Sequence, residues 1–524
     1  MPQNPAEGGV RRPATIGAPM SQEVSVRLPR VLRRLAGDLR EVSVEAVTVG
    51  EALDALVAAY PALDGSLRDE NGDIASHLLL FAGDAELPRS GFEDVPLSPG
   101  TTLYVLAPLR GGAEDVRMRG FRVRTPVDDA RAAALEGVAR LGIETIAVTE
   151  SVGRVLAVPA VSEVDVPPFR RATMDGYAVV AADTHGASMY NPVPLRVDGE
   201  SMPGREPPPP LAPGTARRIM TGAPLPSGAD AVVRAEDARE QGPTVEITEG
   251  VAAGKNVGRV GEDVAAGTEV LPAGRRIRPE DAGVLASIGL SPVPVVRRPR
   301  VRVIVSGNEL LAPGSRPDGT HIVDSNSVML AGLIRRDGGE VEAIERLPDD
   351  RAAIAGAVAR PGADAVVTAG GVSVGREDYL PGIVAELGDL VVHGVAMRPS
   401  SPTGIGRIGG VPVLLLPGNP VSCLAAYDFF AGPVIRTMAG LPADLPYPAI
   451  RLPLAGRLTS QIGRVDYARV RVSEGRVHPI AVSGASVLSS VTGGDGFVIV
   501  PANSEGFGDG TEVEVHRYDT WPAA

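Results

Sequence analysis

Apolar and polar residues along the chain follow the periods of strands and helices, and the first complete unit begins near residue 21. Residues 48–60 have the spacing of an amphipathic helix that ends before Pro61. Three segments alternate as β-strands do: 23–28, 77–81 and 102–106. The pattern over 21–112 therefore predicts a small β-grasp domain, in which one helix covers a sheet. Residues 1–20 have no period and are predicted to be a disordered tail.

The rest of the chain divides into four predicted regions. Residues 118–162 and 251–298 form a helical linker domain, in which a helix at 279–290 is expected to pack on a first helical stripe that runs towards residue 160. Short alternating runs rich in proline and glycine predict a small β domain at 163–250 and a C-terminal β domain at 441–524.

Residues 299–440 alternate between strand and helix patterns. The predicted strands are 301–305, 341–344, 365–368, 390–393 and 413–416. Helices are predicted from the capping residues at 324–326 to residue 334, and at 350–359, 371–387 and 420–438. Repeated β-α-β units predict a doubly wound parallel sheet with helices on both faces. The fold class is thus a multidomain α/β and β chain.

Composition excludes several classes of function. The 51 basic and 64 acidic residues give a net charge of −13, which argues against nucleic acid or an anionic membrane as the main partner. The single cysteine, Cys423, excludes a disulfide framework and is expected to be a packed thiol. No long apolar run is present, so we expect a cytoplasmic protein without membrane spans. Lys255 is the only lysine, so arginine supplies nearly all positive charge.

Polar, glycine-rich segments follow three strands of the predicted α/β domain. They are Ser306 to Glu309, residues 369–375 and residues 416–422. Ligands of such sheets bind outside the carboxyl ends of the strands, where glycines let backbone N–H groups approach an anion. One such loop is more often an ordinary turn. Three loops on one edge, together with nearby carboxylates, favour a ligand that carries phosphate.

Seven short motifs occur in one order along residues 118–524. They are Asp-Val-Pro-Pro-Phe at 165–169, Met-Asp-Gly-Tyr-Ala at 174–178, Ile-Met-Thr-Gly-Ala-Pro at 219–224, Gly-Glu-Asp at 261–263, Gly-Asn-Glu-Leu at 307–310, Gly-Gly-Val-Ser-Val-Gly at 370–375 and Pro-Gly-Asn-Pro-Val-Ser at 417–422. This order resembles the MoeA-like molybdopterin molybdotransferases. The resemblance implies a homodimer of four-domain subunits with the active site between subunits. It also implies a magnesium-dependent reaction that inserts molybdate into adenylylated molybdopterin and releases AMP.

The same resemblance implies roles for individual residues. The expected catalytic residues are Asp175, Asp263, Glu309, Asp349 and Asp378, of which Glu309, Asp349 and Asp378 are expected to share Mg²⁺. The expected cofactor-binding residues are Thr221, Gly222, Ser306, Gly307, Gly370, Gly371, Ser373, Gly375, Arg398, Ser401, Gly418, Asn419 and Ser422. Thr221 and Gly222 are expected to offer a hydroxyl and an N–H group to an anion. Two alternatives stay open: Asp349 caps its helix, and Asp263 is a turn residue.

One loop departs from the pattern that the resemblance leads us to expect. Arg-Pro-Ser-Ser-Pro at 398–402 stands where a Lys-Pro-Gly-Lys-Pro stretch is expected. Arg398 keeps the positive charge of the first lysine and is expected to bind phosphate or molybdate. Ser401 lacks the positive charge of the second lysine. We therefore expect weak molybdate affinity that Ser401→Lys improves, unless another arginine offsets the loss. The alternative function is a non-catalytic paralogue that binds molybdopterin or acts as a scaffold.

The N-terminal unit resembles the ubiquitin-like sulfur carriers of the MoaD/ThiS family in its order of elements and its Gly111-Gly112 end. Those carriers act through a free terminal carboxylate, but here Ala113 follows Gly112. Either the unit is a retained module that ends in a linker, or the chain is cleaved after Gly112. The resemblance implies a molybdopterin synthase or an adenylating enzyme as a partner. The sequence leaves open whether tungstate replaces molybdate and which enzyme receives the cofactor.

Overall fold

A computed structural model describes residues 22–106 and 124–518, apart from residues 38, 40, 70, 71, 76, 77, 84, 99, 374, 376 and 377. Its first unit is a five-stranded sheet in the order Glu41–Ala46, Gln22–Arg27, Thr102–Leu106, Leu79–Ala82 and Ala85–Leu87. Gln22–Arg27 runs antiparallel to Glu41–Ala46 and parallel to Thr102–Leu106. The predicted tail and Gly112 lie outside the described residues.

One helix, Val49–Ala59, covers this sheet. Thr48 caps its start, because the hydroxyl oxygen accepts the Glu51 N–H at 3.3 Å. Leu53 and Leu56 are fully buried against the sheet. The predicted β-grasp fold is thus confirmed for the N-terminal unit.

The predicted helical linker region contains less helix than its pattern indicates. The first helix, Val127–Leu135, has nine residues and ends before Gly137, whose φ is +69°. Residues Ile143–Ile146 then form a strand that pairs with Val293–Val296. The second helix is Pro279–Ser287. Its buried side chains pack in a different apolar core from those of the first helix, so the expected packing of one helix on the other is not observed.

The small β domain is a six-stranded sheet. Its strand order is Ala231–Arg234, Gly176–Val179, Thr215–Ile219, Val193–Ser201, Thr244–Ile247 and Ala238–Gln241. The short pairing of Arg171–Ala172 with Val257–Gly258 connects it to the linker region, within which Ala160–Val161 pairs with Glu269–Leu271. No helix in the described ranges has the length and apolar character to cross a membrane.

The central domain has a six-stranded sheet that carries helices on both faces. Its strand order is Glu340–Leu347, Arg300–Ser306, Ala365–Ala369, Val411–Leu416, Gly404–Ile408 and Asp389–His393. The helices are Asn326–Arg336, Arg351–Ala359 and Leu380–Leu387, followed by the continuous helical run Pro420–Ala426, Tyr427–Ala431 and Gly432–Met438. The predicted doubly wound sheet is therefore confirmed.

Two details of the central domain differ from the prediction. Gly404–Ile408 is an unpredicted strand, and it runs antiparallel to its neighbours. The glycines of this segment are typical of a loop. However, a Cβ at Gly406 would lie 2.4 Å from a Val384 methyl group, so the packing of this strand requires glycine. The helix predicted from residue 371 begins only at Leu380, because Gly371 has a φ of +63°, which an α-helix does not adopt.

The C-terminal domain contains a further mixed sheet. It contains Val465–Ser473, Gly496–Val500, Glu512–Arg517 and Ala449–Pro453, with Arg476–Ala481 paired to the first of these. The strand Met397–Arg398 of the central domain completes its edge by pairing with Val465 and Asp466. The C-terminal sheet is therefore joined directly to the loop at 398–402.

A buried ionic cluster connects the central helices with the C-terminal domain. The Arg336 guanidinium donates to both Asp337 oxygens at 3.0 Å and to Asp428 at 3.1 Å. Arg436 donates to Asp337 at 2.8 Å, and the Tyr447 hydroxyl donates to Asp428 at 3.0 Å. Two arginines balance two aspartates, so removing one partner leaves an uncompensated buried charge.

We expect Asp428→Ala to lower the free energy of unfolding by about 3–5 kcal/mol, because Arg336 loses a buried counter-charge. Urea denaturation followed by circular dichroism measures this change. The matched control is Asp444→Ala. The Asp444 side chain is 89% exposed, and its carboxylate pairs with Arg131. That variant should cost less than about 1 kcal/mol. Equal costs for the two variants would contradict the assigned importance of the cluster.

Candidate functional site

The loops after three strands of the central sheet meet at one edge. Gly370 adopts a φ of +98°, and a Cβ on it would lie 2.4 Å from the Ser306 carbonyl oxygen. A Cβ on Gly418 would lie 3.4 Å from the Gly370 Cα. The three glycine-rich segments therefore touch one another, as the position of the strand ends predicts. Glycine is required at residue 370 by both conformation and space.

The glycines at this edge differ in whether their N–H groups are free. Gly307 donates to Leu347, Gly370 donates to Leu416, and Gly375 donates to Asp378. These three expected anion donors are therefore already used within the chain, which corrects that part of the expectation. Among the residues that the structure describes, several other backbone N–H groups of these loops have no acceptor, and they include those of Gly371, Ser373, Gly418 and Asn419.

Two of the predicted carboxylates lie on adjacent loops. An Asp349 carboxylate oxygen accepts the Asn308 N–H at 3.1 Å, and the Asn308 side-chain oxygen accepts the Asp349 N–H at the same distance. This reciprocal pair places Asp349 beside Glu309, the residue after Asn308. The helix-capping alternative for Asp349 is wrong, because Asp350 caps that helix through the Ala353 N–H at 2.7 Å.

The third expected metal ligand, Asp378, accepts the Gly375 N–H at 2.6 Å and so closes its own loop. Within the described ranges, no group of three or more histidine, cysteine, aspartate or glutamate side chains could hold a metal ion. The expected three-carboxylate group is thus not preformed in one chain. Magnesium is commonly held by one or two carboxylates together with substrate phosphate oxygens. Glu309 and Asp349 fit that smaller requirement.

The turn at 417–420 is held from three directions. The Asn326 side-chain amide donates to the Gly418 carbonyl at 2.7 Å. The Ser486 hydroxyl of the C-terminal domain donates to the Asn419 side chain at 3.1 Å. The Ser400 hydroxyl donates to the Ser422 carbonyl at 2.7 Å. Cys423, in the helix that follows, is fully buried, and burial raises the pKa of its thiol, as expected for a packed core residue.

The altered loop has a different arrangement of charge from the one expected. The Arg398 guanidinium donates to the buried carboxylate of Asp466, with an Nε–Oδ1 distance of 2.9 Å. It is therefore committed to the C-terminal domain, which corrects the expectation of an anion-gripping residue. The Ser401 hydroxyl oxygen accepts a hydrogen bond from Arg124 Nε at 2.7 Å. A guanidinium therefore lies beside the position that lacks a lysine.

Asp175 and Thr221 form one unit in the small β domain. The Thr221 N–H and hydroxyl both donate to one Asp175 oxygen, at 2.6 and 2.8 Å. These bonds, the backbone one first, hold the pKa of Asp175 below its usual value, so the carboxylate stays ionised at neutral pH. The Gly222 N–H donates to the Ala172 carbonyl at 2.8 Å. These donors are thus used within the chain, and the expected role of Thr221 and Gly222 in anion binding stays a prediction.

Asp263 lies in an exposed turn, where its N–H donates to the Val166 carbonyl at 3.0 Å. Its turn position is thus observed, and its catalytic role stays a prediction. Asp175 lies in the small β domain and Asp263 in the linker region, whereas Glu309 and Asp349 lie in loops of the central sheet.

Sequence reasoning missed four residues that shape the site edge: Arg124, Asn326, Asp466 and Ser486. Asn326 had been interpreted only as a capping residue. The other three act across 67 or more residues of chain, and no local pattern marks them.

Comparison with known proteins assigns most of the chain. Residues 125–289 match the MoeA N-terminal region (domains I and II), 302–437 match the probable molybdopterin binding domain, and 451–518 match the MoeA C-terminal region (domain IV). The described N-terminal unit lies outside these matches.

Individual relatives agree with this assignment. Molybdopterin molybdenumtransferase 2 of Mycobacterium tuberculosis is 37% identical over 385 residues, which cover 71% of this chain and 94% of that protein. Molybdopterin molybdenumtransferase of Bacillus subtilis is 32% identical over 75% of this chain and 94% of that protein. The crystal structure of a molybdopterin biosynthesis MoeA protein from Pyrococcus horikoshii matches with a TM-score of 0.65 and 34% identity, covering 76% of this chain and all of that one. The chain therefore belongs to the MoeA family.

Proposed function

We propose that the protein is a molybdopterin molybdotransferase that inserts molybdate into adenylylated molybdopterin and releases AMP. Its family gives it a role in molybdenum cofactor biosynthesis as a transferase. The observation that carries the specific reaction is the set of unpaired N–H groups that includes those of Gly371, Ser373, Gly418 and Asn419, at the same sheet edge as the carboxylates of Glu309 and Asp349.

Such an edge suits a pyrophosphate. Backbone N–H groups donate to phosphate oxygens without needing a charged side chain, and the glycines let the ligand approach closely. AMP leaves when one phosphoanhydride bond of the substrate breaks, and negative charge on the leaving phosphate rises in that step. Donors fixed by the hydrogen bonds at Gly418 and Asn419 stabilise that charge without reorganising.

The carboxylates at the same edge imply a cation. Glu309 and Asp349 would repel a pyrophosphate unless a positive charge lay between them and the phosphate oxygens. We propose that these two residues, with Asp378 as a further candidate, hold Mg²⁺ together with substrate oxygens. When bound, the ion supplies neutralisation of the phosphate charge. The expected cytoplasmic location stays a prediction.

A complete site requires both groups of carboxylates, and we propose that two subunits supply them. Asp175 belongs to the small β domain and Asp263 to the linker region, whereas Glu309 and Asp349 belong to loops of the central sheet. Because the two groups lie in different domains, we propose that a symmetric dimer brings each group to the other group on the partner. Each dimer then contains two composite sites.

Mixed subunits test the catalytic roles and the dimer together. We expect Asp175→Asn and Glu309→Gln each to lower AMP release by about 100-fold or more, since each removes charge that acts on the reacting phosphate. Mixing equal amounts of the two inactive variants, after dissociation and reassociation, should restore about one quarter of wild-type activity, because half of the dimers regain one intact site.

The control is a mixture of Asp175→Asn with Asp263→Asn. Both changes lie on the same side of the proposed composite site, so that mixture should stay inactive. Circular dichroism checks that the single variants are folded. Retained activity in both single variants would remove them from the catalytic set, and an inactive first mixture would contradict sites shared between subunits.

For the N-terminal unit, we propose a fused module related to the sulfur carriers. Its β-grasp fold supports this proposal, and the continuation of the chain beyond Gly112 favours a retained module over a free carrier. A molybdopterin synthase or an adenylating enzyme is the proposed partner.

Intact mass spectrometry of the protein from its native cells tests whether this module is separated. We expect only full-length chain in cells that are making the cofactor, because an amide-bonded Gly112 has no carboxylate to activate. A fragment that ends at Gly112, and that gains a thiocarboxylate with an adenylating enzyme, would instead establish a released carrier.

A further inference from the structure

Arg124 is held rigidly beside the loop at 398–402. The Thr125 N–H donates to the Gly394 carbonyl at 3.0 Å, and the Ala396 N–H donates to the Thr125 carbonyl at 2.8 Å. This parallel bridge fixes the backbone next to Arg124, as a short strand would. The 2.7 Å bond from Arg124 Nε to the Ser401 hydroxyl then fixes the guanidinium.

The loop that Arg124 contacts is part of the ligand edge. Ser400 and Ser401 are adjacent, and the Ser400 hydroxyl donates to the Ser422 carbonyl in the first helical turn after the 417–420 turn. The Val395 N–H donates to the Ser401 carbonyl at 2.8 Å. These bonds place Ser401 near the unpaired N–H groups of Gly418 and Asn419. Arg124 therefore brings a cation to the same edge from a distant part of the chain.

The charge of Arg124 is available, whereas that of Arg398 is not. Arg398 pairs with Asp466, a carboxylate that is fully buried. Among the described residues, no carboxylate forms an ion pair with Arg124, and its only hydrogen-bond partner is the uncharged Ser401. A guanidinium donates up to five hydrogen bonds, so the terminal nitrogens of Arg124 are free to bind a ligand.

We propose that Arg124 binds a tetrahedral oxyanion at this edge and supplies the positive charge that residue 401 lacks. The proposal rests on the proposed function for the presence of such a ligand, which is either molybdate itself or a phosphate group of the pterin substrate. Arginine suits both, because its fork of donors matches two oxygens of a tetrahedral anion. The structure thus revises the expectation from sequence: Ser401→Lys should bring little gain in the natural protein, because a cation already lies beside that position.

Calorimetric titration of the full-length chain with molybdate alone, and separately with inorganic phosphate alone, tests this proposal. We expect Arg124→Ala to weaken binding of at least one anion by about tenfold or more. Loss confined to molybdate assigns the site to the metal oxyanion, and loss confined to phosphate assigns it to the pterin substrate. The matched control is Arg131→Ala, because that guanidinium is committed to the Ala443 carbonyl and Asp444.

Moving the positive charge from residue 124 to residue 401 distinguishes an anion-binding role of Arg124 from a merely structural one. In the Arg124→Ala background, Ser401→Lys should recover most of the lost affinity, whereas Ser401→Ala should not. Unchanged binding of both anions in Arg124→Ala, or equal loss in Arg131→Ala, would overturn the proposal. Because these titrations need no pterin substrate, they are independent of AMP release. A wild-type protein that binds oxyanion through Arg124 but releases no AMP would contradict only the proposed function.

Discussion

The hydrogen bonds on the turn at 417–420 are the constraint on which the ligand edge depends. A glycine-rich turn has little preference of its own, so the free N–H groups of Gly418 and Asn419 point in fixed directions only because other elements hold them. Asn326 acts from a helix of the central domain, and Ser486 acts from a turn of the C-terminal domain. The donors are therefore positioned before any ligand arrives, which is the arrangement that stabilises developing charge at least cost.

The C-terminal domain contributes to the same edge by a second route. Met397–Arg398 belongs to its sheet, and Arg398 neutralises the buried Asp466. A positive charge near the edge is thus used to join two domains, and the ligand needs another source. Arg124 comes from the segment just before the first helix of the linker region. The loop at 398–402 is therefore contacted by the linker region, the central domain and the C-terminal domain.

The sequence predicted the elements that local patterns determine and missed what long-range contacts determine. Runs of β-branched residues identified the parallel strands, and the loops after them met at one edge as expected. Gly404–Ile408 was missed because its glycines suit a loop as well as a tightly packed strand. The occupied donors of Thr221 and Gly375 were missed for a related reason, since a motif names a residue but does not give its hydrogen-bond partner. The partners of Arg398 and Ser401 lie 68 and 277 residues away, beyond any local pattern.

The central claim is that this edge catalyses transfer and does more than bind the pterin. The most direct measurement incubates the purified full-length protein with adenylylated molybdopterin, Mg²⁺ and molybdate, and follows AMP and molybdenum cofactor together. The account predicts that AMP appears only when molybdate is present, in equal amount to the cofactor formed. Tight binding of adenylylated molybdopterin without molybdate-dependent AMP release would contradict it, and the chain would then be a binding or scaffolding member of its family.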